Sequence, residues 1–168
     1  VRVAVATEKL DRGLWPESDI DPPPGSGAVA RYVVVGPGTG RHVILPLDNR
    51  HAAAEAIAHP SGDTSAVDDA NRSAVRTALR LGLLQPFMRT RFSVRVASHD
   101  PSVPTLHEYL ARAVGLPNVV LAVRFGPIRP NQKPIVRIMD AAGRTVAFAK
   151  VGSNDLGKEL VDHEAGFL

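Results

Sequence analysis

The sequence predicts an α+β fold in which helices pack on an antiparallel sheet. Several short runs rich in valine and isoleucine alternate with other residues, which is the pattern of strands. Two longer segments repeat apolar residues near every 3.6 positions, which is the pattern of helices. Strands and helices follow one another without the regular strand–helix–strand order of a parallel sheet, so we expect antiparallel pairing.

The composition restricts the possible functions. The 168 residues are 44% hydrophobic and 22% charged, which is ordinary for a globular domain, and the net charge is only +3. The chain has no cysteine, which excludes a disulfide framework and cysteine-based catalysis or zinc binding in this sequence. No apolar run has the length of a membrane helix. We therefore expect a cytoplasmic protein without a membrane partner.

The first thirty residues are predicted to form an N-terminal segment and a linker. Residues 1–10 alternate well enough for a strand, and Trp15 is a candidate anchor in the core. Residues 16–27 read PESDIDPPPGSG, a proline- and glycine-rich stretch without apolar periodicity. Such composition is typical of a loop or linker.

Residues 31–116 are predicted to be an α+β extension. It begins with a hairpin, in which the runs RYVVVG and RHVILPL flank the turn residues 37–40. In the helix over 105–114, Thr105 and Glu108 have the spacing of a capping box and Gly115 ends the helix. The remaining predicted elements are helices over 51–58 and 68–84 and a strand over 92–97.

The last part, residues 117–168, reads as three strands and the beginning of a helix. The strands are NVVLAVRFG, PIVRIMD and RTVAFAKV, and Ala141–Gly143 link the second to the third. Alternation along the third strand places Val146, Phe148 and Lys150 on one face. Asn154 and Asp155 are candidate N-caps of the helix that follows.

A lysine and a glutamate in this region form the strongest candidate site. Lys150 closes a strand, and Glu164 lies on the apolar face of the following helix, with Leu160 and Leu168. A carboxylate on an apolar face costs several kcal/mol unless it meets a cation. A glutamate that holds a lysine in place lets its ammonium group meet phosphate oxygens. The alternative is that the head group of Lys150 lies in solvent and Glu164 lies at the rim of the apolar stripe.

From residue 118 onward the chain resembles the small lobe of kinase-like small-molecule phosphotransferases, the superfamily of aminoglycoside and choline kinases. The segments NVVLAVRFG, PIVRIMD and RTVAFAKVG resemble its first three strands, and LVDHEAGFL resembles the start of its αC-like helix. The stretch is similar in particular to bacterial members. The resemblance implies a truncated kinase-like N-lobe in residues 117–168, within a fragment of a longer protein.

The resemblance also implies a cofactor and its contacts. ATP with Mg²⁺ would bind with Lys150 at the phosphates, Glu164 positioning that lysine, and the loop after Gly126 covering the nucleotide. That loop has no G-x-G-x-x-G pattern, so its side-chain donors are the remaining candidates. These donors are Arg129, Asn131 and Lys133. Magnesium ligands and the general base are expected beyond Leu168, so no catalytic residue is assigned and the fragment is expected to be inert alone.

A non-catalytic α+β interaction module is the alternative. It could be pseudokinase-like, or it could bind the phosphate backbone of a nucleic acid weakly through Arg72, Arg76 and Arg80, which are spaced along one helix face. Interleaved aromatic residues are absent, which argues against nucleic acid as a partner. The histidines have no metal-ligand spacing, and no serine lies in a hydrolase motif. The acceptor substrate and the oligomeric state stay open.

Overall fold

The computed structural model describes residues 14–15, 19–25, 27–36, 42–58, 66–84, 88, 90–98, 100, 102–126 and 134–151, without the side chains of 66–72. In these residues six strands and three helices follow one another, with bounds within a few residues of the predicted ones. The strands are β1 (Val29–Val35), β2 (Val43–Pro46), β3 (Arg91–Arg95), β4 (Val120–Arg124), β5 (Ile135–Met139) and β6 (Thr145–Lys150). The helices are α1 (Arg50–Ala58), α2 (Ala66–Leu81) and α3 (Leu106–Val114).

The six strands form one antiparallel sheet in the order β3-β1-β2-β4-β5-β6. The predicted α+β class with an antiparallel sheet is confirmed. Strands β4, β5 and β6 are consecutive in the chain and adjacent in the sheet. Pairing of β2 with β4 joins the segment 31–116 to the segment from 117 onward, so the strands of both contribute to one continuous sheet.

The larger core lies on one side of the sheet, which we call the α3 face. Alternate residues of every strand point to this side, and Leu110 of α3 packs against them. Trp15, predicted as an anchor, is 1% exposed and lies beside the rings of Tyr32 and Phe92. These three aromatic rings fill the core beside β1 and β3.

Two helices cover the opposite side, which we call the α1 face. Four alanines of α1 are buried over β2 and β4, because their small side chains let the helix approach the strands closely. Helix α2 packs against α1 and contributes Leu79 to the same core. Its predicted apolar stripe is only partly buried, since Leu79 is in the core while Val75 and Leu81 are exposed. Periodicity alone could not show that α1 already occupied the sheet surface.

Helix α3 has the predicted ends. The Thr105 hydroxyl accepts a hydrogen bond from the backbone N–H of Glu108, and the Glu108 carboxylate accepts one from the backbone N–H of Thr105. Gly115 ends the helix with φ of 68°, a left-handed conformation that favours glycine. His107 lies in the first turn of this helix and is buried. Its Nε2 atom is 2.8 Å from the hydroxyl oxygen of Tyr32.

The turn between β5 and β6 is tied to the sheet and to α1. Asp140 and Arg144 exchange backbone and side-chain hydrogen bonds across it, and these bonds hold the pKa of the Asp140 carboxyl below its usual range. Gly143 has φ of 79° and lies directly against the backbone of Ala52. The turn and the first turns of α1 are therefore packed backbone to backbone.

Candidate functional site

Strand β6 presents Lys150 on the α1 face, at the end of the sheet. Its side chains alternate between partly buried and exposed positions from Thr145 to Lys150. Ala147 and Ala149 pack against the larger core on the α3 face, whereas Phe148 and Lys150 are exposed on the other side. The predicted facing of this strand is confirmed, and no described strand pairs with its outer edge.

Strand register places a second cation in line with Lys150. Ile135 of β5 lies opposite Lys150 on one side and opposite Arg124 of β4 on the other, so the three residues form one row across three strands. Two strand spacings separate the two cationic residues by about 10 Å. Because both side chains are long, their head groups can converge on one anion above Ile135. We call this row the cation row.

Arg137 adds a third positive charge on the same face, two residues beyond Ile135 along β5. It lies opposite Phe148, and its guanidinium is 5.1 Å from the centroid of that ring. Its Nη1 also donates to the carbonyl oxygen of Glu55, 2.6 Å away, in the last turns of α1. Burial and then the positive charge of Arg124 lower the pKa of Arg137, and the negative charge of Glu55 acts in the opposite direction.

Helix α1 divides this face into a closed part and an open part. Ala122 and Met139 are buried beneath α1, while Ile135 remains exposed. The cation row and Phe148 therefore border the open part. An anion could approach it from solvent without displacing the helix.

Of the other predicted site residues, the structure describes only Gly126. Gly126 lies just beyond β4, and a Cβ atom there would meet no atom of the described residues within 4 Å, so no close approach among them requires glycine. Glu164, Arg129, Asn131 and Lys133 lie outside the described residues. The predicted pairing of Lys150 with Glu164 stays a prediction.

The arginine stripe of the alternative interpretation is partly engaged within the protein. Arg76 Nη2 donates to the Glu55 carboxylate at 3.1 Å, between α2 and α1. Arg80 is exposed at the end of α2, and the side chain of Arg72 lies outside the described part. Because Arg76 forms an ion pair with α1, the stripe offers fewer charges to a phosphate backbone than the spacing predicted.

Sequence reasoning missed Arg124 and Arg137 as site residues. Both lie in predicted strands, and alternation could have shown that each shares a face with its neighbours two positions away. It could not show that they lie on the same face as Lys150, because that depends on the register across β4, β5 and β6. The register is visible only in the folded sheet.

Two kinds of feature are absent from the described residues. No group of three or more histidine or acidic side chains there could hold a metal ion, and no helix there has the length and apolar character needed to cross a membrane. Comparison with family models, curated proteins and solved structures finds no match for the chain. The function is therefore argued from the site.

Proposed function

We propose that this chain contributes the ATP-binding small lobe of a phosphotransferase that acts on a hydroxyl group of a small molecule. The observation that carries the proposal is the order β4-β5-β6, a three-stranded antiparallel unit that ends in Lys150 on an open sheet face. This arrangement agrees with the resemblance of the sequence from residue 118 onward. A lysine at this point serves kinase-like enzymes as a phosphate ligand.

The cation row supplies the electrostatic support for this proposal. The phosphates of ATP carry several negative charges, and Lys150 and Arg124 would offset part of that charge from two sides. Because α1 closes the part of the face over Ala122, the nucleotide would occupy the open part beside Ile135. In this proposal Glu164 would orient Lys150, and the loop after Gly126 would cover the nucleotide.

Transfer of the phosphoryl group would need further residues. In the proposed enzyme Mg²⁺ would offset the negative charge of the phosphates, and its ligands and the general base that accepts the hydroxyl proton would lie beyond Leu168. The chain of 168 residues would bind the nucleotide without turning it over. Binding, rather than catalysis, is therefore the property to measure on this chain.

We expect Lys150→Ala to weaken the binding of Mg-ATP by about 10- to 100-fold, because a charge-assisted hydrogen bond to phosphate is lost. Arg124→Ala should weaken it as well, since this residue lies in the same cation row. Isothermal titration calorimetry of the unaltered chain and of both variants measures the three dissociation constants for Mg-ATP. Inorganic triphosphate, titrated in parallel, separates the phosphate contribution from that of the base.

Arg112→Ala is the matched control. Arg112 is an exposed cation on α3, on the other side of the sheet from the cation row, and its removal should leave the affinity unchanged. The proposal is wrong if the unaltered chain shows no saturable Mg-ATP binding, or if Lys150→Ala binds as tightly as the control.

A further inference from the structure

A groove of about 470 Å³ lies on the α1 face next to the cation row and does not include it. Its walls come from α1, from the end of α2 and from the β5–β6 turn with the adjoining part of β6. Glu55, Arg80, Arg144, Thr145 and Phe148 are the lining residues that matter for its chemistry. We propose that this groove binds a small anion that carries a flat ring.

One wall of the groove suits a flat ring. Phe148 is 61% exposed, which is unusual for a phenylalanine in a strand, and it lines the groove. The guanidinium of Arg137 stacks near this ring, and its hydrogen bond to the Glu55 carbonyl fixes the guanidinium in place. The guanidinium therefore contacts part of the phenylalanine ring, and a ligand ring can stack on the exposed part.

The charge of the groove suits an anion. Arg80 and Arg144 are exposed on two of its borders. Glu55, the carboxylate among the described lining residues, is paired with Arg76 at 3.1 Å, so its negative charge is already offset. Arg144 pairs with Asp140 at 2.7 Å, yet its side chain is 81% exposed and a guanidinium has five donors. Both arginines can therefore contact an anionic ligand.

The wall of the groove beside β6 is closely packed. Thr145 is a lining residue, but its Oγ1 atom is shielded from solvent and does not face the groove. Gly143 keeps this wall close to α1, since a side chain there would meet the Ala52 backbone.

The size and position of the groove define what can bind. Its volume lies within the range of about 300 to 1,000 Å³ that is typical of small-molecule sites. Lys150 and Arg124 are not among its lining residues, so the groove adjoins the cation row without including it, and Phe148 borders both. The inference therefore does not depend on the proposed nucleotide binding.

Phenyl phosphate is the probe, because it combines a ring with an anion. We expect saturable binding in ligand-observed NMR, with higher affinity than inorganic phosphate or benzyl alcohol, each of which lacks one part. Arg80→Gln should weaken binding about tenfold by removing a charged donor. Phe148→Leu should abolish the preference for phenyl phosphate over inorganic phosphate. Both residues are exposed, so both variants should fold, as circular dichroism can verify.

Lys150→Ala separates this site from the proposed nucleotide site. If the groove is the binding site, this variant keeps its affinity for phenyl phosphate. Two results would overturn the inference. One is equal affinity for phenyl phosphate and inorganic phosphate in the unaltered chain. The other is a loss in Lys150→Ala together with unchanged binding in Arg80→Gln, which would locate the probe on the cation row.

Discussion

Replacing Gly143 by alanine is expected to lower the free energy of unfolding by about 3 kcal/mol or more. Gly143 has φ of 79°, where an L-residue pays a steric cost. A Cβ atom there would also lie 2.6 Å from the backbone nitrogen of Ala52 and 3.0 Å from the carbonyl carbon of His51. Backbone atoms of a helix cannot rotate away, so the β5–β6 turn or α1 must shift.

Gly115→Ala is the matched control for this prediction. Gly115 has a similar φ of 68°, but a Cβ atom there would meet nothing within 4 Å. Only the conformational cost applies, about 1 kcal/mol. Urea unfolding of the two variants and the unaltered chain gives both differences. Equal losses in the two variants would show that the approach of the turn to α1 is not as close as described.

Acid is expected to destabilise the protein through His107. Burial lowers the pKa of His107 from 6.5 to about 4, because the charged imidazolium loses its hydration in the core. Its Nε2 atom is hydrogen-bonded to the Tyr32 hydroxyl, and its Nδ1 atom has no partner among the described groups. Burial likewise raises the pKa of Tyr32, so both members of the pair stay neutral near pH 7.

The direction of the pH effect follows from proton binding. Between pH 6.5 and about 4 the unfolded chain binds a proton at His107 that the folded chain does not bind. The contribution of neutral His107 to the stability of the fold is therefore fully present above pH 6.5 and is lost as the pH decreases towards 4. The shift corresponds to a loss of about 3 kcal/mol across that range. Urea unfolding at a series of pH values between 4 and 7 measures it.

Two substitutions distinguish the effect of His107 on stability from the effects of other groups that titrate in this range. His107→Gln keeps a hydrogen-bonding side chain beside Tyr32 but cannot titrate, so its stability should depend much less on pH. His51→Gln removes an exposed histidine on α1 and should leave the pH dependence of the unaltered chain in place. An unchanged slope in His107→Gln would contradict the assignment of the acid effect to this residue.

Local patterns predicted the facing of β6 and the ends of α3. Both depend on residues close in the chain: the strand alternates with a period of two, and Thr105, Glu108 and Gly115 lie within the helix that they cap. The candidate site was predicted only in part for the same reason. Lys150 could be assigned from its own strand, whereas Arg124 required the pairing of three strands.

Neighbouring residues are enough to predict the α+β class, the approximate bounds of the described elements and the side of β6 on which Lys150 lies. The folded structure was needed to show the strand order, the packing of α2 against α1, and the contact of Gly143 with Ala52. These features depend on contacts between residues distant in the chain. Packing many such contacts together selects one arrangement among several that the same local patterns allow.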